Sequence, residues 1–134
     1  MSGDLVYADA SALVKLVVHE PETDSLRAYL AAHPAVVSSA LVVTEVRRAV
    51  ARVSSRAGLA DRARLVLDGV TLLVVDLAIL ERAAALRPPE LRTLDAIHVA
   101  TALSLGDDLL AFVTYDDRQA ASARRERVPV VRPA

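Results

Sequence analysis

Four acidic residues sit where an ordinary soluble domain has little use for a charge: Asp9, Glu45, Asp95 and Asp116. Asp9 directly follows the short apolar run Leu5-Val6-Tyr7-Ala8, and Asp116 follows Phe112-Val113-Thr114-Tyr115. If both runs are strands of a parallel sheet, both acids lie at the same end of it, where such sheets bind ligands. Glu45 lies in a helical pattern at residues 41–56 whose apolar face is Val42, Val46, Ala49, Val50 and Val53. It falls on the edge of that face, whereas a solvating glutamate belongs on the opposite side with Arg47 and Arg48. Asp95 opens a helical pattern at residues 94–105 that is apolar nearly all round. Its only polar residues are Asp95, His98, Thr101 and Ser104, one narrow stripe.

Each acid also has a local explanation. Asp9 could cap the helix that follows it. Asp116 with Gln119 fits a variant of the capping box. Asp95 suits a helix N-terminus, and a half-buried Glu45 could pair with an arginine. Taken together, these readings weaken. Converging carboxylates repel, by about 4 kcal/mol for two unit charges 4 Å apart at an effective dielectric near 20. Such a cluster is tolerated when cations fill it. With oxygen donors and no cysteine, the suited ions are Mg²⁺ and Mn²⁺. Their usual work is phosphate chemistry: acidifying an attacking water and stabilising a leaving oxygen. The reaction class is phosphodiester hydrolysis.

The elements that must position these acids follow from the pattern. Strands are expected at residues 5–8, 36–38, 70–75, 109–114 and 128–131. Helices are expected at 11–18, 23–32, 41–56, 59–67, 77–86, 94–105 and 117–127, with Gly58, Gly69 and Gly106 as stops and Asp76 as a cap. Alternating strands and helices imply an α/β domain with a parallel sheet covered on both faces. The run Leu72-Leu73-Val74-Val75 agrees with strands buried on both sides.

Composition narrows the classes. The chain has 134 residues, which fits one domain, 1–134. A hydrophobic fraction of 54%, mostly Ala, Val and Leu, excludes a disordered chain. The absence of cysteine excludes a disulfide framework, a thiolate metal site and a cysteine nucleophile. A net charge of −1 argues against nucleic-acid binding by bulk positive charge. Setting the four acids aside leaves 13 others against 16 basic residues, a surface net positive by about three. No segment reads as a signal peptide or membrane span, so a soluble, cytoplasmic protein is expected.

The motifs also resemble those of the PIN-domain ribonucleases, and within them the VapC toxins of bacterial toxin–antitoxin pairs. Tyr7-Ala8-Asp9-Ala10-Ser11-Ala12-Leu13-Val14-Lys15-Leu16 followed by Glu20-Pro21-Glu22 is similar to the family's opening segment. Thr44-Glu45-Val46, residues 94–102 (Leu-Asp-Ala-Ile-His-Val-Ala-Thr-Ala) and Val113-Thr114-Tyr115-Asp116 are similar to its later acidic motifs. The order covers essentially the whole chain. The resemblance implies a single PIN-like, Rossmann-like fold with about five parallel strands flanked by helices. It implies a quartet of Asp9, Glu45, Asp95 and Asp116 binding Mg²⁺ or Mn²⁺, with Asp9 and Asp95 the most direct ligands. Ser11 and Thr114 would sit beside the site, and Asp117 would be an outer ligand of a second ion or a solvated acid. It further implies RNA as substrate, a homodimer and a VapB-like antitoxin partner.

The remaining polar residues have plainer expectations. His98 is expected as a hydrogen-bonded interior residue rather than a base, and His19 and His33 as solvated. A phosphate contact is not favoured for Lys15. Arg47, Arg48, Arg92 and Arg118 are candidates for the RNA backbone, with Arg47, Arg92 and Arg118 foremost. Among four aromatics, Tyr115 is best placed to stack a base. Two alternatives remain from other classes. One is a receiver-like Mg²⁺-binding signalling domain, which would want paired acids after the first strand and a lysine after the last. The other is a noncatalytic interaction module.

Overall fold

The computed structural model describes residues 3–134. Its five strands are β1 (Leu5–Ala8), β2 (Val36–Ser39), β3 (Thr71–Leu73), β4 (Leu109–Val113) and β5 (Val130–Val131). Among the described residues the α-helices are α1 (Ala10–Val17), α2 (Thr23–Ala32), α3 (Val42–Val53), α4 (Ala57–Asp68), α5 (Leu77–Ala85), α6 (Thr93–Leu103) and α7 (Asp117–Arg125). The strands form one parallel sheet in the order β3-β2-β1-β4-β5. The order reverses between β1 and β4, which makes the gap between them the switch point where such folds place a ligand. A receiver-like domain would show the order 2-1-3-4-5 instead, so that alternative is set aside.

Side chains of a strand alternate between faces, and β1 shows it. Val6 and Ala8 enter a core with Leu13, Val17, Val46 and Val50 from α1 and α3. Tyr7 points the other way, into a core with Val99, Ala102 and Ala123 from α6 and α7. Helices α1–α4 therefore cover one face and α6 and α7 the other, with α5 packed outside α6 through Ile79, Ala83, Ala96 and Ala100. Each fully buried Val or Leu contributes about 1.5–3 kcal/mol.

Three expectations need correction. The third strand is three residues long and lies at the sheet edge, with Val74 77% exposed, so its apolar run is not sandwiched. Val53 is 60% exposed at the last turn of α3 and is no part of the core face. Gly58 does not stop a helix. It lies in the first turn of α4, and α3 ends because Ser54 turns extended (φ −162°, ψ 144°). Its Oγ then accepts the Arg56 amide at 3.1 Å, a local bond that competes with helix continuation. No helix is long and apolar enough to cross a membrane among the described residues.

Candidate active site

β1 runs straight into α1, and Asp9 makes the turn. Its backbone is extended (φ −81°, ψ 179°) and its Oδ1 accepts the Ala12 amide at 3.1 Å. The cap is real and worth about 1 kcal/mol. It does not account for the rest of the carboxylate. Ser11 Oγ also donates to Oδ1, at 2.6 Å, and Thr114 Oγ1 donates to Oδ2. Thr114 follows β4, on the far side of the switch point. Its Oγ1 in turn accepts the Asp116 amide at 3.0 Å, and Ser11 Oγ accepts the Tyr115 amide at 2.9 Å. Two hydroxyls thus join the β1–α1 turn to the β4–α7 turn.

Asp9 is only 4% exposed. Burial drives its carboxyl above the ordinary carboxylate range, against the hydrogen bonds from Ser11 and Thr114. Asp95, half-buried in the first turn of α6, is also raised. Burial acts first and the charge of Asp116 second; His98 and then Arg92 oppose, and Asp9 adds to the rise. Asp95 therefore lies within the field of both Asp116 and Asp9. Asp116 caps α7, its Oδ1 accepting the amides of Arg118 and Gln119 at 2.9 and 3.1 Å.

Glu45 reaches the site from α3, on the other helical layer. Its partner is not an arginine. His98 Nε2 lies 2.7 Å from Glu45 Oε1, and His98 Nδ1 lies 2.6 Å from the Tyr7 hydroxyl. His98 is 2% exposed, so the interior role expected for it is the observed one.

The donors at this end of the sheet are all oxygens, and the strongest burial falls on Asp9. A hard divalent cation suits that set. Among the described residues no three acidic or imidazole side chains stand close enough together to hold a metal ion by themselves. A cation here would complete its shell with water, as Mg²⁺ commonly does.

A groove of about 630 Å³ opens beside Ser11 and Glu45, walled by Val14, Lys15, Arg48, Arg52, Leu94 and Tyr115. Arg48 and Arg52 are therefore the α3 arginines that share this groove with Glu45. Arg47 lines only a second groove, between α3 and α4, which it shares with Arg48, Val43, Val50 and Ala63. Arg92 is the N-cap residue of α6, and Arg118 is exposed in the first turn of α7. Lys15 is committed elsewhere: its Nζ donates to Glu20 at 2.8 Å and to Glu22 at 3.0 Å. That ion triad explains why Glu-Pro-Glu follows α1. The same ammonium lies 4.7 Å from the centre of the Tyr115 ring, occupying one of its faces. The Tyr115 hydroxyl donates to the Pro133 carbonyl at 2.6 Å.

Asp117 is exposed and paired with Arg132 Nη1 at 2.7 Å. Arg132 Nε also donates to the Thr114 carbonyl at 3.2 Å, so the C-terminal segment clamps the β4–α7 turn. Arg132, Arg52 and Tyr7 escape sequence reading. Tyr7 is two residues before Asp9, but nothing in its spacing announces a histidine 91 residues away.

The family described as PIN domain matches residues 6–125. Ribonuclease VapC46 of Mycobacterium tuberculosis (strain ATCC 25618 / H37Rv) is 47% identical over 129 residues, 96% of this chain and 98% of that protein. Ribonuclease VapC47 of the CDC 1551 / Oshkosh strain is 40% identical over 124 residues, 90% of each chain. The crystal structure of VapBC2 from Rickettsia felis, bound to a DNA fragment from its promoter, superimposes with a TM-score of 0.76. It does so at 14% identity over 97% of this chain and 99% of that one, which is a likeness of fold. The chain belongs to the PIN-domain family and groups there with the VapC ribonucleases.

Proposed function

We propose that this protein is a divalent-metal-dependent endoribonuclease, the toxin of a toxin–antitoxin pair, acting in the cytoplasm. The observation that carries the reading is the buried Asp9 carboxylate, held by Ser11 and Thr114 at the switch point, whose charge reaches Asp95 together with that of Asp116. Kinship with proteins named Ribonuclease VapC supports the substrate class. Likeness to a VapBC assembly supports a VapB-like antitoxin partner.

In this reading Asp9 and Asp95 hold a Mg²⁺ or Mn²⁺ ion most directly, with Glu45 and Asp116 completing the quartet. Bound there, the ion would acidify water and stabilise charge on the phosphate. Ser11 and Thr114 orient the Asp9 oxygens. Arg48 and Arg52 meet the RNA backbone along the groove, and Arg92 and Arg118 stand at the starts of α6 and α7; Arg47 is less suited because it lines only the other groove. Asp117 serves Arg132 rather than a second ion. A homodimer is supported by the exposed apolar residues Val74, Leu77 and Leu80 at the β3 edge and α5.

The test is cleavage of single-stranded RNA by the purified chain. Mg²⁺ or Mn²⁺ should support it and EDTA should abolish it. Asp9→Asn and Asp95→Asn should remove cleavage while leaving the circular dichroism spectrum unchanged. Wild-type cleavage by either variant sinks the assignment.

A further inference from the structure

Beneath the acids lie three buried polar groups that metal binding and RNA contact leave unused. They are the Ser39 amide, the Tyr7 phenol and the His98 imidazole, and they form one chain ending on Glu45. The Ser39 N–H donates to the Tyr7 hydroxyl at 3.2 Å, that hydroxyl lies 2.6 Å from His98 Nδ1, and His98 Nε2 lies 2.7 Å from Glu45 Oε1. Tyr7 is fully buried and His98 nearly so.

The ends of the chain set the direction of each hydrogen. A carboxylate only accepts, so the hydrogen between His98 and Glu45 sits on Nε2. An amide N–H only donates, so it fills a lone pair of the Tyr7 oxygen. In the neutral imidazole, Nδ1 is then the acceptor that remains for the phenol's hydrogen.

The chain is also stiff. The Tyr7 ring stacks on Phe112 at 5.0 Å and 19°, and the His98 ring meets Tyr7 edge-on at 5.8 Å and 75°. Glu45 is the opposite: a long side chain, 23% exposed, on a helix of the other layer. A rigid donor engaging Oε1 removes most of that freedom and leaves Oε2 to the groove that Glu45 lines. Two elements then each set two acids. β1 places Asp9 directly and Glu45 through Tyr7 and His98. α6 carries Asp95 in its first turn and His98 one turn later.

We infer that His98, oriented by Tyr7, is a positioning residue that fixes the Glu45 carboxylate for a divalent cation and so sets the cation affinity of the site. The inference rests on the metal-dependent reading above. Outer partners of metal ligands act in this way, and their loss costs about 10–100-fold in affinity or activity.

The experiment is calorimetric titration of the full chain with Mn²⁺, without RNA. His98→Ala should weaken binding about 10–100-fold, and Tyr7→Phe by a smaller factor. His98→Gln, whose amide nitrogen can stand near the place of Nε2, should stay within about threefold of wild type. In a Glu45→Gln background, His98→Ala should cost nothing further. Excess Mn²⁺ should recover most of the kcat of His98→Ala. Equal Mn²⁺ affinity in wild type and His98→Ala, or additive losses in the double variant, overturns the inference while leaving the nuclease reading intact. A wild type that takes up no Mn²⁺ overturns both. If melting in EDTA shows that His98→Ala does not fold, Tyr7→Phe decides, and unchanged Mn²⁺ affinity in that variant overturns the inference.

Discussion

The hydroxyl of Thr114, just past β4, donates its hydrogen to Oδ2 of Asp9, just past β1. Two residues 105 apart in sequence are thus bonded across the switch point, and the bond decides how the most buried acid presents itself. Thr114→Val keeps the shape and removes the donor. It also leaves the Asp116 amide without its acceptor. We expect a loss of about 1–3 kcal/mol in urea unfolding and about 10–100-fold slower RNA cleavage. Thr114→Ser should restore both. A valine variant cleaving at the wild-type rate would remove Thr114 from the site.

The Asp9 carboxyl lies where burial opposes its charged form. Asp9→Asn keeps the helix cap, since asparagine caps as well as aspartate, and removes that opposition. Asparagine has one acceptor oxygen, however, so the Thr114 hydroxyl loses Oδ2, and in EDTA the two effects should leave the melting midpoint within about 5 °C of wild type. Mn²⁺ at a hundred times its Kd should raise the wild-type midpoint by roughly 10 °C, as binding to the folded state alone requires, and should leave Asp9→Asn unmoved. Differential scanning fluorimetry reads both.

Lys15 gives a pH dependence of known sign. Burial works against its ammonium, yet the hydrogen bonds and charges of Glu20 and Glu22 outweigh it and hold its pKa above the ordinary 10.5. A raised folded pKa means stability fully present below the unfolded value and lost as pH rises through the folded one. Lys15→Met should therefore cost about 1–2 kcal/mol at pH 8, and its gap to wild type should narrow above roughly pH 11. Urea unfolding at both pH values tests this; a gap of constant size contradicts the triad's role.

Arg48 and Arg52 share the groove with Glu45, whereas Arg47 lines only the other groove. In an Asp9→Asn background that binds without cutting, Arg48→Ala and Arg52→Ala should each weaken single-stranded RNA binding. Each should also lower the slope of log K against log salt by about 0.7. Arg47→Ala should change neither. Fluorescence anisotropy across a salt series separates the three.

Much of this protein is written locally. Asp9, Asp76 and Asp116 announce helix starts because a short carboxylate reaches the amides two or three residues on. The 3.6-residue and two-residue apolar periods mark helices and strands because they are the periods of those elements. The four acids stand out because each interrupts such a pattern. Where the local signal is ambiguous, reading fails. The apolar run at residues 70–75 cannot reveal that its strand pairs on one side only, and Val53 continues a face that has nothing left to pack against. Pairing at a distance belongs to the tertiary structure. The sequence offers Glu45 an arginine, but the fold gives it His98; it names no partner for Lys15, and the fold pairs it with Glu20 and Glu22. The reason is physical. Periodicity and capping depend on neighbours within one turn, which the chain order specifies. A partner 53 or 105 residues away depends on which strands lie side by side, and only the packed sheet decides that.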